Sequence, residues 1–402
     1  MKKIIKIWLF CGIIFCFACE SGDFSKKKNE TENGISQESP VEQSQNLTIT
    51  FAGDLMAHDV NFMMKNYRHI YTDLADILLQ DDLSFCNIEM PVCEEKPLSS
   101  YPSFNVHRSY IRAAIDSGFD VFALANNHTN DQGKSGIAGS ITSFETLEAE
   151  YKTNGRRIYY SGLKKTKTDA WEPIIIEKNG FTLLFLSVTE LLNSYGDSKH
   201  YLYYSESTAE GRTLLLERIS EMREKYPCDI LILTLHVAEA EYGFNVSTEK
   251  KRWFKRLGDA GVDIICASHP HVMQTWEKVE STRSPLLETQ LNDGNFGLHS
   301  YFFMYSMGNF ISGQRMKPNY ENPKHYREYT GDAVLLQLTL HKRDGKILND
   351  YELRAIPVTV YKNEHGLVMK RLDQNFIDGL FNEKEKTYYR TRLNLLKAYL
   401  PL

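Results

Sequence analysis

Short apolar runs rich in β-branched and aromatic residues recur along the chain, separated by stretches with helical spacing, and this alternation restricts the fold more than any other feature. Leu47-Thr48-Ile49-Thr50-Phe51 reads as a strand ending at Gly53-Asp54, and Leu83-Ser84-Phe85-Cys86 as a second ending at Asn87-Ile88-Glu89. A third, over 120–124, runs into Asn126-Asn127-His128. Further strands are expected at 173–177, 182–188, 230–235, 262–267, 302–306, 333–340 and 355–361. Helices are expected at 71–79, 107–117, 134–148, 208–225 and 250–260. Such a pattern predicts a layered α/β core, and hairpin-like pairs near 173–188 and 333–361 make its sheets mixed rather than purely parallel. The Tyr-rich stretch 195–204 reads as a loop or lid, and 373–402 as a charged amphipathic helix packed on the outside.

The N-terminus is a separate object. Lys2, Lys3 and Lys6 precede an apolar run over 7–18 that is too short for a membrane span, so the segment reads as an export signal. Ala18-Cys19 followed by Glu20-Ser21-Gly22-Asp23 resembles the end of a bacterial lipoprotein signal, in which Cys19 would be lipidated. A plain cleaved signal and an uncleaved anchor remain as alternatives. Residues 20–46 are polar with almost no large apolar side chain, the composition of a disordered tether with a reach of roughly 25–30 Å. The expected organisation is a signal at 1–19, the tether at 20–46, a core at 47–312, strands completing the sheets at 313–372 and a C-terminal helix at 373–402.

Charge narrows the partners. The three lysines are the only charges in residues 1–19, so removing them takes the net charge from −5 to −8. Bulk nucleic-acid binding is thereby excluded, while a bound cation could still make a cleft attractive to anions. Beyond Cys19 the chain has Cys86, Cys93, Cys228 and Cys266, with no CxxC spacing for a thiolate zinc site. Cys86 and Cys93 could pair in an oxidising compartment.

In open α/β sheets, ligands gather beyond the carboxyl ends of the strands. Those ends carry Asp54, then Asn87 and Glu89, then Asn127 and His128, then His236, and finally His269 and His271. Taken singly, Asp54 could cap a helix, Asn127 close a turn and His236 sit satisfied in a core. Five strands delivering oxygen and nitrogen donors, with no thiolate, suit Mn, Fe or Zn chemistry on an oxyanion. In His269-Pro270-His271 the two imidazoles reach a single point if the backbone stays extended, and Pro270 biases His269 away from the helical region.

Gly53-Asp54-Leu55-Met56, Asn87-Ile88-Glu89-Met90-Pro91, the run 125–133 around Asn127-His128, His269-Pro270-His271-Val272-Met273-Gln274 and Tyr305-Ser306-Met307-Gly308-Asn309-Phe310 together resemble the CapA family of poly-γ-glutamate capsule biosynthesis proteins. The resemblance covers about residues 47–312. It implies a fold of the calcineurin-like metallophosphatase type, a four-layer αββα sandwich of mixed sheets flanked by helices. It further implies that Asp54, Glu89, Asn127, His236, His269 and His271 hold one or two divalent metals, with Glu89 in a position to bridge. His128 would act on the substrate as an acid or oxyanion stabiliser, and Asn87, Asp131 and Asn309 would orient the ligands.

The implied function is that of an exported, lipid-anchored, metal-dependent hydrolase or transferase acting on an anionic cell-envelope polymer or a phosphoester precursor, with a capsule synthase as a partner. A non-catalytic accessory lipoprotein that binds a polyanion or scaffolds the synthase is the alternative, and an extracytoplasmic nucleotidase a weaker third. Two departures bear on this. Metallophosphatases carry a His two residues after the first Asp, where this chain has Met56, with His58 four residues away. The family's His-Trp-Gly-x-Glu-Tyr reads here His236-Val237-Ala238-Glu239-Ala240-Glu241-Tyr242, one residue longer, which leaves the placement of Glu241 and Tyr242 open.

Overall fold

The alternation resolves into two mixed β-sheets packed face to face in a computed structural model that describes residues 44–280 and 300–402. The expected signal, Cys19 and nearly all of the tether lie outside the described residues. In chain order the strands are β1 (Ser44–Leu55), β2 (Leu83–Ile88), β3 (Val121–Ala123), β4 (Tyr159–Ser161), β5 (Ile174–Lys178), β6 (Phe181–Thr189) and β7 (Ile230–His236). They continue with β8 (Ile264–Ser268), β9 (Trp276–Glu280), β10 (Ser300–Met304), β11 (Asn309–Ile311), β12 (Asp332–Arg343), β13 (Lys346–Asn363) and β14 (Gly366–Arg371). The helices are α1 (Asp59–Phe62), α2 (Ala75–Leu78), α3 (Arg108–Asp116), α4 (Gly133–Thr153), α5 (Ala209–Lys225), α6 (Thr248–Ala260), α7 (Gln374–Gly379) and α8 (Glu383–Tyr399).

One sheet runs β14-β13-β12-β1-β2-β3-β4, with β11 pairing parallel to the end of β1. The other runs β5-β6-β7-β8-β10-β9. Within each, a parallel run carries the polar strand ends: β1 to β4 in the first, and β6, β7, β8 and β10 in the second. The two expected hairpins are the antiparallel pairs β5/β6 and β12/β13.

Period-2 alternation explains the layering. Along β6, Leu183 and Phe185 join the core between the sheets, whereas Leu184 and Leu186 face a second core with Leu215 and Ile219 of α5 and Trp253 and Phe254 of α6. Strand β7 repeats this, Ile230 and Ile232 inward and Leu231 and Leu233 outward. Phe85 and Phe185 meet across the sheets with ring centroids 5.4 Å apart, and each such side chain, fully buried, stabilises the fold by about 1.5–3 kcal/mol. On the other side, Phe144 of α4 packs on Phe122 of β3. Helix, sheet, sheet and helix layers result, as expected.

The differences have local causes. The helix expected over 71–79 shrinks to α2, because the stretch closes through three-residue turn bonds, Leu74 N–H to the Tyr71 carbonyl at 2.8 Å and Ile77 N–H to the Leu74 carbonyl at 3.0 Å, while the Asp73 carboxylate accepts the Arg371 backbone N–H at 2.8 Å. Strands β4, β9, β11 and β14 were not expected; β4 and β11 have three residues each and too few positions to establish a period. The C-terminal helix α8 is not merely an outer layer, since Tyr388, Tyr389 and Arg392 are fully buried. Arg392 Nε donates to Asp332 Oδ2 at 2.6 Å, and Arg315 holds the other carboxylate oxygen at 2.5 Å, so a charge that looked solvated is neutralised inside. Cys86 and Cys93 are both free thiols. Strand β1 begins at Ser44, three residues before the expected strand start at Leu47. Among the described residues no helix is long and apolar enough to cross a membrane.

Candidate metal centre

The end of β1 is fixed by a backbone contact that admits no side chain. A Cβ on Gly53 would lie 2.0 Å from the Gly308 carbonyl oxygen, and the next amide, Asp54 N–H, donates to that same oxygen at 2.9 Å. Asp54 is thereby aimed inward and fully buried. Its Oδ1 accepts from Asn87 Nδ2 at 2.8 Å, while its Oδ2 has no hydrogen-bond partner. The Asn87 amide also reaches Glu89 Oε2 at 3.3 Å, leaving Oε1 of the fully buried Glu89 without a partner. Asn126 Nδ2 donates to Asn87 Oδ1, which fixes the orientation of that amide.

The loop after β8 does not stay extended. His269 has φ 101° and His271 φ 59°, in the left-handed region that costs non-glycine residues roughly 1–3 kcal/mol each. Tyr242, with φ 64°, belongs to the same place: its amide donates to the Pro270 carbonyl at 2.8 Å. The other two non-glycine residues of positive φ among the described residues, Asn179 and Asp344, sit in hairpin turns. The strain is held by Ser306 Oγ, which donates to the Val272 carbonyl at 2.8 Å, and by Met307 N–H donating to the Ala267 carbonyl at 2.9 Å. It separates the imidazoles, with ring centroids 6.0 Å apart.

His271 is oriented by Asn309. The Asn309 Nδ2 faces three acceptors, Ser312 Oγ, Gln314 Oε1 and the Thr330 carbonyl, so its Oδ1 is the atom 2.9 Å from His271 Nδ1 and accepts that proton. His271 Nε2 then offers a lone pair 3.8 Å from Glu89 Oε1, while the protonated Nδ1 lies 3.6 Å from Asp54 Oδ2. His236, at the end of β7, points Nε2 to Asn127 Oδ1 at 2.9 Å and to Glu89 Oε1 at 3.8 Å. Glu89 Oε1 thus sits between two imidazoles. His269 packs its ring 5.0 Å from that of His236, and its buried Nδ1 has no partner.

These residues fit a divalent cation on two observations. Ligand atoms of Asp54, Glu89 and His271 all fall within 4.8 Å of one another, and two of their buried donor atoms, Asp54 Oδ2 and Glu89 Oε1, are otherwise unsatisfied. The 3.8 Å separation of His271 Nε2 from Glu89 Oε1 is too long for a hydrogen bond and close to the ~3.4–3.7 Å expected between two donors each ~2.1 Å from one ion. The electrostatics point the same way. Burial, reinforced by Asp54, raises the Glu89 carboxyl well above its usual range. Burial, reinforced by His271, lowers His269 to about 4, and burial with His269 beside it lowers His236 well below its usual value.

His128 stands at the edge of this cluster. Its Nδ1 meets Asp131 Oδ2 at 2.7 Å, and the same oxygen accepts the Phe104 amide at 2.9 Å, so the carboxylate that orients the ring is itself held by backbone. All the expected site residues of the core are therefore brought to one place. Met56 is not among them: it is buried in the core with Leu55 and Ala57. In the lengthened fourth motif, Lys250 binds Glu239, Gln274 Oε1 at 2.8 Å and the Tyr305 carbonyl at 2.6 Å, which pins the loop beneath Glu241 and Tyr242. Sequence reasoning missed Asn193, whose Oδ1 accepts from Asn127 Nδ2 at 3.2 Å, and Ser268, whose Oγ lies 2.7 Å from His236 Nδ1. Ser268 adjoins the histidine pair and could have been found there; Asn193 lies in a polar loop without a distinguishing pattern.

Residues 48–314 match the family described as bacterial capsule synthesis protein PGA_cap. A capsule biosynthesis protein CapA of Bacillus anthracis is 26% identical over 348 residues, covering 84% of this chain and 73% of that protein. A PGA biosynthesis protein CapA of Bacillus subtilis strain 168 is 23% identical over 276 residues, covering 67% of this chain and 64% of that protein. Among solved structures, the calcineurin-like phosphoesterase YfkN from Bacillus subtilis aligns with a TM-score of 0.42 at 12% identity, over 89% of this chain and 99% of that one. A structure of PhoD aligns with a TM-score of 0.34 at 10% identity, over 88% and 78%.

Proposed function

This chain belongs to the bacterial capsule synthesis protein family PGA_cap, and from that premise we propose that it is a metal-dependent hydrolase or transferase acting on an anionic cell-envelope polymer of the poly-γ-glutamate kind or on a phosphoester precursor. The observation that carries the reading is the group Asp54, Glu89 and His271, buried and converging with unsatisfied donor atoms. Asp54, Glu89 and His271 would hold one cation, and Glu89 with Asn127, His236 and His269 could hold a second. A divalent ion bound there polarises a phosphoryl or carbonyl oxygen and lowers the pKa of a water toward ~7.

The protein's own groups do the rest. Asp131 keeps His128 with its proton on Nδ1, so Nε2 is free to accept a proton or, once charged, to deliver one to a leaving oxygen. Burial of the cluster excludes bulk water and strengthens each charge interaction within it. Export and lipidation at Cys19, with a capsule synthase as partner, complete the proposal; the N-terminal pattern of three lysines, an apolar run and Ala18-Cys19 supports the first two.

The test is metal content of the purified protein together with Mn²⁺-dependent hydrolysis of a generic phosphoester. Asp54→Ala and His271→Ala are expected to lose both. If neither variant changes either quantity, the site assignment is wrong. A second reading is favoured by Met56, which fills the core where metallophosphatases present a ligand: an accessory protein that binds metal and polyanion without turnover. Retained metal with no hydrolysis of any phosphoester or γ-glutamyl bond, in a wild type that still binds polymer, would select it.

A further inference from the structure

His58 has no place in the ligand set, yet its ring is specified more tightly than that of an ordinary loop histidine. It precedes α1, and its Nδ1 accepts the backbone N–H of Gly313 at 3.0 Å. A backbone amide can only donate, so Nδ1 carries the lone pair and the neutral ring has its proton on Nε2. The contact depends on Gly313 having no side chain: a Cβ there would lie 2.6 Å from His58 Cβ and 2.8 Å from Cγ. On its other side the ring meets the edge of Phe104 at 5.1 Å, and Phe104 in turn meets His128 at 4.8 Å. His271 and His128 are both near enough to disfavour a charge on His58, which burial and these two hold neutral down to about pH 4. The ring is partly exposed, and it is Nδ1, not Nε2, that meets the Gly313 amide.

We propose that His58 is a substrate-binding residue, a clamped neutral imidazole that offers Nε2–H to an anionic oxygen of the substrate and does not ligate metal. Ligation through Nε2 would need the ring proton on Nδ1, where the Gly313 N–H already points, and Nδ1 itself is occupied by that donor. A neutral donor suits this position: it adds no positive charge beside a bound cation, yet it discriminates a charged oxygen from water, an effect of roughly 10–100-fold in affinity. The identity of that oxygen, on a phosphoryl or carboxyl group, rests on the metal-centred reading above; the tautomer does not.

The experiment uses the full chain with ¹⁵N-labelled histidine. Long-range ¹H–¹⁵N spectra should place the His58 proton on Nε2 from pH 6 to 8, the signal being assigned by its loss in His58→Gln. Mn²⁺ stoichiometry and affinity of His58→Leu should equal wild type, whereas its affinity for inorganic phosphate should fall ~10–100-fold and recover in large part in His58→Gln, whose amide N–H can reach the same point. Loss of Mn²⁺ in His58→Leu as complete as in Asp54→Ala, an Nδ1–H tautomer, or unchanged phosphate affinity would each overturn the proposal. Phosphate binding is measured with and without Mn²⁺. A wild type that binds no metal would sink the metal reading, while the ratio of His58→Leu to wild type still decides the role of His58; no phosphate binding in either condition overturns that role too.

Discussion

His236 Nε2 and Asn127 Oδ1 stand 2.9 Å apart, with a proton between two atoms that are both aimed at the centre. Because Asn127 Nδ2 donates to Asn193 Oδ1, the amide oxygen faces the ring, and His236 carries its proton on Nε2 while Nδ1 accepts from the Ser268 hydroxyl at 2.7 Å. Coordination by both atoms requires that proton to move to Nδ1. A hydroxyl can accept as readily as it donates, so Ser268 tolerates either tautomer. Ser268→Ala is therefore expected to weaken Mn²⁺ binding by roughly 10–100-fold while leaving the fold intact, as read by metal titration and a thermal melt. Unchanged affinity would remove Ser268 from the loading step.

Metal uptake should release a proton, and its source is Glu89. Burial and Asp54 raise the Glu89 carboxyl well above its usual value, whereas His269, lowered to about 4, and His236, lowered well below its usual value, are already neutral at pH 6. A group raised on folding contributes stability that is fully present below its unfolded value and is lost as pH rises through the folded one. A cation that replaces the proton reverses that loss, so Mn²⁺ should raise Tm more at pH 8 than at pH 6. Calorimetry in buffers of different ionisation enthalpy should find close to one proton released per cation. Zero release would mean that Glu89 is ionised before metal arrives.

Gly53→Ala tests the backbone contact that aims Asp54. The added Cβ would meet the Gly308 and Met307 carbonyl oxygens at 2.0 and 2.8 Å, and backbone oxygens cannot rotate away as a flexible side chain would. The strand end and the 307–309 turn must separate, carrying Asp54 away from Asn309 and His271. Overpacking of this kind costs about 1–3 kcal/mol or more, so a Tm drop together with loss of bound Mn²⁺ is expected. A variant that keeps wild-type Tm and metal would show that the contact does not position the site.

How far the sequence reached is clearest at the histidines. Asp54, Glu89, Asn127 and His236 could be found because each ends an apolar run, and a parallel strand delivers its terminal side chain to the sheet's carboxyl edge whatever the rest of the fold does. His269 and His271 were recognisable as a pair, but the expected extended backbone was wrong: left-handed φ values at both depend on Tyr242, Ser306 and Met307, contacts made across the fold. Met56 and His58 show the same limit. Four residues from Asp54, His58 could be noted in the sequence only by its offset from the missing ligand position, and it is the Gly313 amide, 255 positions away, that fixes its proton. In the fold, long alternating strands were legible, whereas the short strands β4 and β11 and the buried Arg392 were not, since the partner that neutralises an interior charge, Asp332, is 60 residues distant.

His128 and Asp131 separate chemistry from metal binding. The Asp131 carboxylate is fixed by the Phe104 amide and takes the Nδ1 proton of His128 at 2.7 Å, so it sets both the tautomer and the angle of the ring. Removing the imidazole should cost turnover but not metal: His128→Ala is expected to lower kcat about 10²–10⁴-fold with bound Mn²⁺ unchanged. Asp131→Asn keeps the shape, and since the Phe104 amide needs an acceptor at that point its amide oxygen still faces Nδ1, but it removes the negative charge that stabilises the imidazole once it has taken a proton. Its kcat should fall in the same direction with KM little altered, since the substrate still finds the cation and its other donors. Should His128→Ala instead strip the metal, His128 would have to be moved from the reacting group into the ligand set. A loss in Asp131→Asn confined to KM would place the pair in substrate binding rather than proton transfer.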